Sequence, residues 1–279
     1  IMCAVVMAVG KNNSKFIGLA CINIVVCANA GGAFSPFGDI TTLMVWQKGV
    51  VSFSEFFYIF VPSVVNAIIP AVIMHFAISN DKPAASKEKV TVKKGGYTII
   101  GLFLGTITFT VIQHQFLHLP PVFGMMTGLG VFSIYGYFLK KKEHKDKSNT
   151  KVFDIFNKVS KAEWDTLFFF YGVLMCVGGL SAFGYMSLTA AYMYGDLGAS
   201  TANILVGILS AIVDNIPVMF AVLTMLPEMD LGQWLLVTLT AGVGGSMLSI
   251  GSAAGVALMG QTKGIYTFFF HLKWTPVIA

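Results

Sequence analysis

Two aspartates stand inside apolar stretches of this 279-residue chain, where a carboxylate is unexpected. Asp39 follows the segment NAGGAFSPFG (residues 29–38), and Asp214 lies in SAIVDNIPV (residues 210–218). An ionisable side chain at membrane depth is costly and is a functional-site hypothesis by default. Desolvation disfavours the charged form of a carboxylate, so a proton and a cation can compete for the same group. The two aspartates are therefore candidates for coupled binding of a cation and a proton.

Further oxygen-bearing side chains cluster around both aspartates and in a third stretch, GVGGSMLSIGS (residues 242–252). Glycine and proline in these stretches predict helices that break within the membrane, which is tolerated only inside protein or beside a water-filled cavity. Carboxylate, hydroxyl, amide and freed carbonyl oxygens together suit a hard cation rather than a soft metal. The candidate ion-binding and proton-binding residues are Asn29, Asp39, Thr41, Thr42, Ser210, Asp214, Asn215, Ser246, Ser249 and Ser252.

Several of these residues also have a purely structural interpretation. Asp39 precedes the helical run ITTLMVW, where aspartate is a favoured N-cap, and capping is compatible with ion binding. Thr41 and Thr42 can be packing residues, and the three serines of the third stretch have a helix-face spacing that permits close helix packing. Histidines near span ends or in loops are expected to be interfacial or solvated: His75, His114, His118, His144 and His271.

The composition is that of an integral membrane protein. Hydrophobic residues make up 56% of the chain and charged residues 11%, with a mean hydropathy of +0.76. Several apolar stretches of about 20 residues can each cross ~30 Å of hydrocarbon. Lysines cluster in two loops, residues 81–96 and 140–151, which the positive-inside rule places in the cytoplasm. This clustering argues against nucleic acid as a partner and leaves anionic lipid headgroups as an alternative for the basic loops.

An internal repeat relates the first and third stretches. Residues 30–42 align with residues 243–255, and three glycine pairs coincide at one offset of 213 residues: Gly31 with Gly244, Gly32 with Gly245, and Gly38 with Gly251. The preceding loops, residues 11–15 and 227–233, carry opposite charge, as opposite orientation in the membrane requires. Paired interrupted helices in two halves indicate a secondary transporter with inverted repeats.

The repeat and the loops divide the chain into three predicted regions. Residues 1–79 are the remainder of the first repeat, residues 80–164 hold two spans between the basic loops, and residues 165–279 are the second repeat. By the same offset the tip of the first hairpin is expected at or before residue 1, with residues 1–10 as its returning arm. The predicted elements are a broken helix over residues 16–48, spans at 53–79, 97–117, 120–139 and 165–186, an outer loop at 187–198, a re-entrant hairpin at 199–226, a broken helix at 234–261 and the start of a last helix at 267–279.

Three segments carry a family resemblance. NAGGAFSPFGDITTLMVW, SAIVDNIPVMFAVL and GVGGSMLSIGSAAGVALMG resemble the NhaD-type sodium/proton antiporters of the ion-transporter superfamily. The resemblance implies an all-α polytopic fold with inverted repeats, broken helices and re-entrant hairpins, truncated here at both ends. It implies Na⁺ binding at the ten candidate residues, principally Asp39 and Asp214.

The resemblance also implies an activity and a location. The expected protein is not an enzyme and needs no cofactor; it exchanges Na⁺ or Li⁺ for H⁺ by alternating access and serves pH homeostasis and salt tolerance. The expected location is the bacterial inner membrane, as a multi-pass protein whose partners are the ions and the lipid bilayer. A homo-oligomer stays open.

Two rival functions deserve comparison. The same fold can carry a dicarboxylate or an oxyanion such as arsenite, but the predicted breaks offer aspartates and no nearby arginine. An intramembrane aspartyl protease would use Asp196 with Asp214, but the predicted topology puts Asp196 in an outer loop, and no GxGD motif surrounds Asp214.

Overall fold

The computed structural model describes residues 2–10, 13–78, 95–145, 160, 164–262 and 264–278. These residues form helices and no strand. A 3₁₀ segment, Glu55–Ile59, and a π-helical segment, Ala191–Asp196, accompany the α-helices. In chain order the α-helices are α1 (Met2–Val9), α2 (Ser14–Ala33), α3 (Ile40–Lys48), α4 (Phe60–His75), α5 (Gly96–Leu117), α6 (Pro121–Lys145), α7 (Trp164–Ala182), α8 (Tyr185–Ala190), α9 (Ala199–Ile212), α10 (Asn215–Met225), α11 (Leu231–Gly244), α12 (Ala253–Gln261), α13 (Phe268–Leu272) and α14 (Thr275–Ile278).

Four helical segments of the described chain are long and apolar enough to cross a membrane. A fifth candidate is the pair Leu167–Ala182 and Tyr185–Asp196, which is bent by 83°. The protein is therefore an all-α polytopic membrane protein, as the sequence predicts. The four unbent candidates are Ser14–Ala33, Glu55–His75, Gly96–Leu117 and Pro121–Lys141.

The chain divides into two compact units. One comprises Ile1–Lys87 with Phe169–Ala279, and the other comprises Glu88–Phe168. In the second unit α5 and α6 pack through small residues: a Cβ added at Gly124 would collide with Thr110, and one added at Gly128 with Thr106. Small residues of this kind let membrane helices approach closely, because lipid gives no hydrophobic drive for their association.

Helix α2 is the centre of the first unit. Its membrane-length window is 61% buried, against 22% or less in the other three candidate spans. α4, α11, α12 and α13 all contact it. Side chains such as Ile22 and Val25 lie in a core shared with Met74 and Tyr266 from other elements. The first break therefore directly follows the most enclosed of the four candidate spans.

The two broken helices have the same backbone arrangement. Gaps at residues 34–39 and 245–252 separate α2 from α3 and α11 from α12. A Cβ added at Gly32 would lie 3.0 Å from the carbonyl oxygen of Gly38, and one added at Gly245 would lie 2.5 Å from that of Gly251. The chain thus folds back onto a glycine in both breaks, at two of the three glycine pairs that the offset of 213 residues aligns.

Aromatic rings fix the first break against its neighbours. The Phe34 ring packs edge-on against Phe60 of α4, with centroids 5.2 Å apart, and Phe37 packs against Trp46 of α3 at 5.5 Å. Phe56, just before α4, is fully buried. The break is therefore anchored on both sides and is an ordered part of the fold.

The predicted outer loop at residues 187–198 is wrong. The span predicted at 165–186 ends at Ala182, and the helix resumes at Tyr185 and continues in π form to Asp196. Gly184 has a φ of 82°, a conformation that glycine adopts without strain, and it turns the chain here. The expected loop is thus a bent continuation of the preceding helix.

Other predicted boundaries shift because caps and breakers lie elsewhere. α11 begins at Leu231 rather than 234, since Asp230 accepts a hydrogen bond from the Gln233 amide at 2.8 Å. The first part of the predicted loop 140–151 is helical as far as Lys145, and residues 79–94 of the other basic loop lie outside the described chain. The terminal run forms two short helices, α13 and α14, instead of one.

Gly38→Ala tests the close backbone approach in the first break. The added methyl group would collide with the Gly32 backbone, which has no flexible side chain to move aside. Overpacking of this kind costs ~1–3 kcal/mol. We expect a lower midpoint of thermal unfolding in detergent.

Gly101→Ala is the matched control, because a Cβ at Gly101 in α5 meets nothing within 4 Å. It should leave the midpoint unchanged or raise it. An unchanged midpoint in Gly38→Ala would contradict the described geometry of the break.

Candidate functional site

Asp39 caps α3 and so closes the first break. Its Oδ1 accepts a hydrogen bond from the Ile40 amide at 2.6 Å, and the Thr42 hydroxyl accepts one from the Asp39 amide at 3.3 Å. This is a capping box, in which cap and third helical residue satisfy each other's backbone. The N-cap interpretation is confirmed, and it uses only one carboxylate oxygen of Asp39.

The second oxygen of Asp39 joins two distant parts of the chain. Oδ2 accepts hydrogen bonds from Nδ2 of Asn215 at 2.9 Å and from Oγ1 of Thr41 at 3.2 Å. Asn215 is the first residue of α10, and it is 6% exposed. A carboxylate only accepts, so the amide nitrogen must face Asp39, which leaves Oδ1 of Asn215 as an acceptor directed elsewhere. The contact brings the first break against the tip of the predicted hairpin.

Asp214 supplies a second carboxylate beside this contact. It caps α10 by accepting a hydrogen bond from the Ile216 amide at 3.1 Å, and like Asp39 it is half-buried. Asp214 directly precedes Asn215, whose side chain bonds Asp39, so the two carboxylates belong to one site and their like charges repel each other. The N-termini of α3 and α10 partly offset this repulsion, because the aligned peptide dipoles favour negative charge there. A cation or a proton bound between the carboxylates would neutralise the remaining repulsion between them.

Thr42 fastens the first break. Its hydroxyl lies 2.8 Å from the carbonyl oxygens of both Ser35 and Asp39, and the side chain is fully buried. The Ser35 and Asp39 carbonyls also accept the amides of Gly38 and Leu43, so the hydroxyl adds a contact that joins the break to the first turn of α3. The structure gives Thr42 a backbone-fastening role and gives Thr41 the direct contact with the carboxylate.

Asn29 lies four residues before the end of α2 and is 7% exposed. Its Nδ2 has no hydrogen-bond partner among the described residues. A buried polar group left without a partner costs ~1–3 kcal/mol. Such groups are uncommon in native proteins and call for an explanation, which for this N–H donor would be an acceptor such as a bound water.

The four candidate serines have partners within or beside their own elements. Ser210 donates to the Ala241 carbonyl at 2.7 Å and so links α9 to α11. Ser246 donates to the Val243 carbonyl at 2.6 Å, and Ser249 to the sulfur of Met259 at 3.4 Å. Ser252 caps α12, at the position that the repeat aligns with Asp39. Among the described residues none of these hydroxyls is hydrogen-bonded to Asp39 or Asp214.

Sequence reasoning missed a buried polar group beside the second break. His271 is fully buried, so its expected interfacial or solvated position is wrong. Its ring nitrogens contact the Tyr266 hydroxyl at 2.6 Å and the Ser246 carbonyl oxygen at 2.9 Å. The only signal was a histidine within an apolar run, and a run of that kind equally suits a histidine at a span end.

Two broken helices, with carboxylates at helix N-termini inside a polytopic membrane protein, are typical of a secondary transporter. A family profile described as "CitMHS: Citrate transporter" matches residues 1–242. The chain is 58% identical, over its whole length, to the Na(+)/H(+) antiporter NhaD of Vibrio parahaemolyticus and 54% identical to that of Alkalimonas amylolytica. It belongs to the NhaD family of sodium/proton antiporters.

The relatives differ in how much of their length is matched. The chain spans 72% of the Vibrio parahaemolyticus protein and 62% of the Alkalimonas amylolytica protein. Sodium/proton antiporter 1 of Arabidopsis thaliana is 34% identical over 89% of the chain, which covers 44% of that protein. These relatives are named as antiporters rather than enzymes, and they favour neither the oxyanion transporter nor the aspartyl protease.

Thr42→Val tests the fastening of the first break. Valine keeps the shape of threonine but removes the hydroxyl that accepts the Asp39 amide and contacts the Ser35 and Asp39 carbonyls, at a cost of ~1–3 kcal/mol. We expect a lower thermal midpoint in detergent, restored by Thr42→Ser.

The matched control is Thr127→Val in α6, where an exposed hydroxyl bonds only to the carbonyl of Phe123 in its own helix. It should unfold as the unmodified protein does. Equal midpoints for Thr42→Val and Thr127→Val would show that the hydroxyl does not hold the break.

Proposed function

We propose that the complete protein that carries this sequence exchanges Na⁺ for H⁺ across a membrane. The observation that carries the proposal is the hydrogen bond from Asn215 to Asp39, with the Asp214 carboxylate beside it. It concentrates oxygen ligands and negative charge where two interrupted elements meet. The names of the relatives point to the ions: the four bacterial relatives that are 51–58% identical to this chain are each named Na(+)/H(+) antiporter NhaD.

In the Na⁺-loaded state, Asp39 and Asp214 are both ionised and the cation lies between them. Oδ1 of Asn215 and the Thr41 hydroxyl oxygen complete the protein ligands. Such a set of hard oxygen donors suits a hard cation. Release of Na⁺ leaves two carboxylates that repel each other, and protons then take the place of the lost positive charge.

The net charge of the site explains why the transport of the two ions is coupled. An empty site would carry two unneutralised carboxylates through the low-dielectric part of the membrane, which is costly. With Na⁺ or with protons bound, the net charge of the site is smaller. The transition between inward-open and outward-open forms is therefore open to loaded states and closed to the empty one.

Asn29 extends the site on the α2 side of the break. Its buried Nδ2 has no partner among the described residues, so a water that stays bound to the ion can accept its hydrogen bond at no cost in lost protein contacts. The four candidate serines have a different role in this proposal. They stabilise the backbone of the second break and of the proposed hairpin and do not bind the ion: Ser210, Ser246, Ser249 and Ser252. The ion ligands proposed are thus fewer than the ten residues that the sequence predicts.

The proposal also covers a second transported cation, the location of the protein and the arrangement of its repeats. Li⁺ is a smaller hard cation and should use the same oxygens as Na⁺. The bacterial inner membrane is the proposed location, and residues 1–79, 80–164 and 165–279 are the proposed first repeat, intervening spans and second repeat. A homo-oligomer is compatible with the mechanism, since every proposed ligand comes from one chain.

Citrate, named in the description of the matching family, fits this site poorly. Citrate is a polyanion, and the site presents two half-buried carboxylates. The sequence contains no arginine that could form a bidentate carboxylate clamp. The two N-termini that would attract an anion are already capped by aspartates.

Asp39→Asn and Asp214→Asn test the function in the complete protein. Each change keeps the size of the side chain, and asparagine remains a good N-cap. Na⁺-driven proton movement in everted vesicles should be lost in both variants, and so should Li⁺-driven movement, because one negative charge is missing.

Asp230→Asn is the matched control: Asp230 caps α11 in the same manner, but it is exposed and lies outside the site. It should leave exchange intact. Exchange at the unmodified rate in Asp39→Asn would refute the proposed site, and citrate-driven proton movement without a Na⁺ response would refute the proposed cargo.

A further inference from the structure

In the second break, the carbonyl groups of two consecutive residues are hydrogen-bonded to side chains of the segment that follows. The carbonyl oxygen of Ser246 lies 2.9 Å from Nε2 of His271, and that of Met247 accepts a hydrogen bond from the Thr275 hydroxyl at 2.6 Å. Interrupted helices leave such carbonyls without intrahelical partners. Here α13 and α14 supply the partners from outside the broken helix.

The hydrogen bonds define the proton arrangement on His271. A carbonyl oxygen only accepts, so Nε2 must carry a hydrogen to bond with Ser246. Nδ1 lies 2.6 Å from the Tyr266 hydroxyl, and in a neutral ring it accepts the proton of that hydroxyl. Both rings are at most 1% exposed. The uncharged imidazole thus satisfies both neighbours and points its donor at the break.

The second break in turn touches the element that carries Asp214. A Cβ added at Gly251 would lie 2.6 Å from the Ala211 carbonyl oxygen and 2.8 Å from that of Ser210. These are the last turn of α9, and the chain reaches Asp214 three residues after Ala211. A displacement of the break would therefore press on the end of α9 and shift Asp214.

The two breaks differ in what fastens them. In the first, Thr42 lies within the broken helix itself and binds the carbonyls of Ser35 and Asp39. In the second, the fastening comes from a separate segment that also contacts α2 and α4. The geometry of the second break thus depends on where α13 and α14 lie.

We propose that His271 is a positioning residue for ion binding: with Thr275 it fixes the backbone of the second break and, through Gly251 and the end of α9, the placement of Asp214. The inference rests on the proposed Na⁺/H⁺ exchange. It assigns His271 no contact with the ion and no proton transfer. Its effect on ion binding depends on the hydrogen bond that Nε2 donates to the Ser246 carbonyl oxygen.

A comparison of His271→Leu with His271→Gln distinguishes the effect of the hydrogen-bond donor from the effect of side-chain volume. Glutamine places an amide donor near the position of Nε2, whereas leucine has none. In the complete protein, reconstituted in proteoliposomes, His271→Leu should raise the apparent KM for Na⁺ about ten-fold, which corresponds to ~1.4 kcal/mol of lost binding free energy when Asp214 is displaced. The maximum rate per folded molecule should change less, and His271→Gln should restore a KM close to that of the unmodified protein.

Thr275→Val provides an independent arm if His271→Leu does not fold, because it removes the neighbouring bond to Met247. It should raise the KM in the same direction, while Thr127→Val, with its exposed hydroxyl in α6, should not. An unchanged KM in folded His271→Leu or Thr275→Val would overturn the inference, as would an equal KM increase in His271→Gln and His271→Leu. Absence of Na⁺/H⁺ exchange in the unmodified protein would instead refute the proposed function.

Discussion

The hydrogen bond between the Asn215 amide and the Asp39 carboxylate is the interaction on which the rest of the site depends. It spans 176 residues of sequence and joins the N-termini of α3 and α10. A neutral amide at this point lets two half-buried aspartates approach each other without a third charge. A carboxylate in place of Asn215 would add a third negative charge, and an apolar side chain would leave Oδ2 of Asp39 with Thr41 alone.

The glycine-rich breaks make that contact geometrically attainable. Gly32 and Gly38 let the chain fold back on itself before α3 begins, so Asp39 reaches the interior as a cap rather than as a side chain in mid-helix. The second break repeats this arrangement with Ser252 as cap, and so brings no charge. The two breaks are alike in backbone and unlike in chemistry, which leaves Asp214, the N-cap of α10, to supply the second carboxylate.

Much of this could be predicted from the sequence because the governing signals are local. Asp before a helical run predicts the cap at position 39, and glycine pairs at one offset predict the two breaks. Side-chain partners across the fold could not be predicted in this way. Ser246, Ser249 and Ser252 look like ion ligands by composition, yet their hydroxyls bond within the second break and its flanking helices. His271 looks like a span-end histidine, yet it is buried because α13 turns towards Ser246. The helix at 185–196 was missed because Gly184 turns the chain without ending its helical character.

The most direct test of the central claim, that one site of paired carboxylates holds either Na⁺ or protons, is equilibrium binding of ²²Na⁺ to the purified complete protein at several pH values. The account predicts that protons weaken the apparent affinity for Na⁺ while the number of sites per molecule stays constant, and that Asp39→Asn abolishes the saturable binding. Binding whose affinity is independent of pH, or saturable binding that persists in Asp39→Asn, would contradict it.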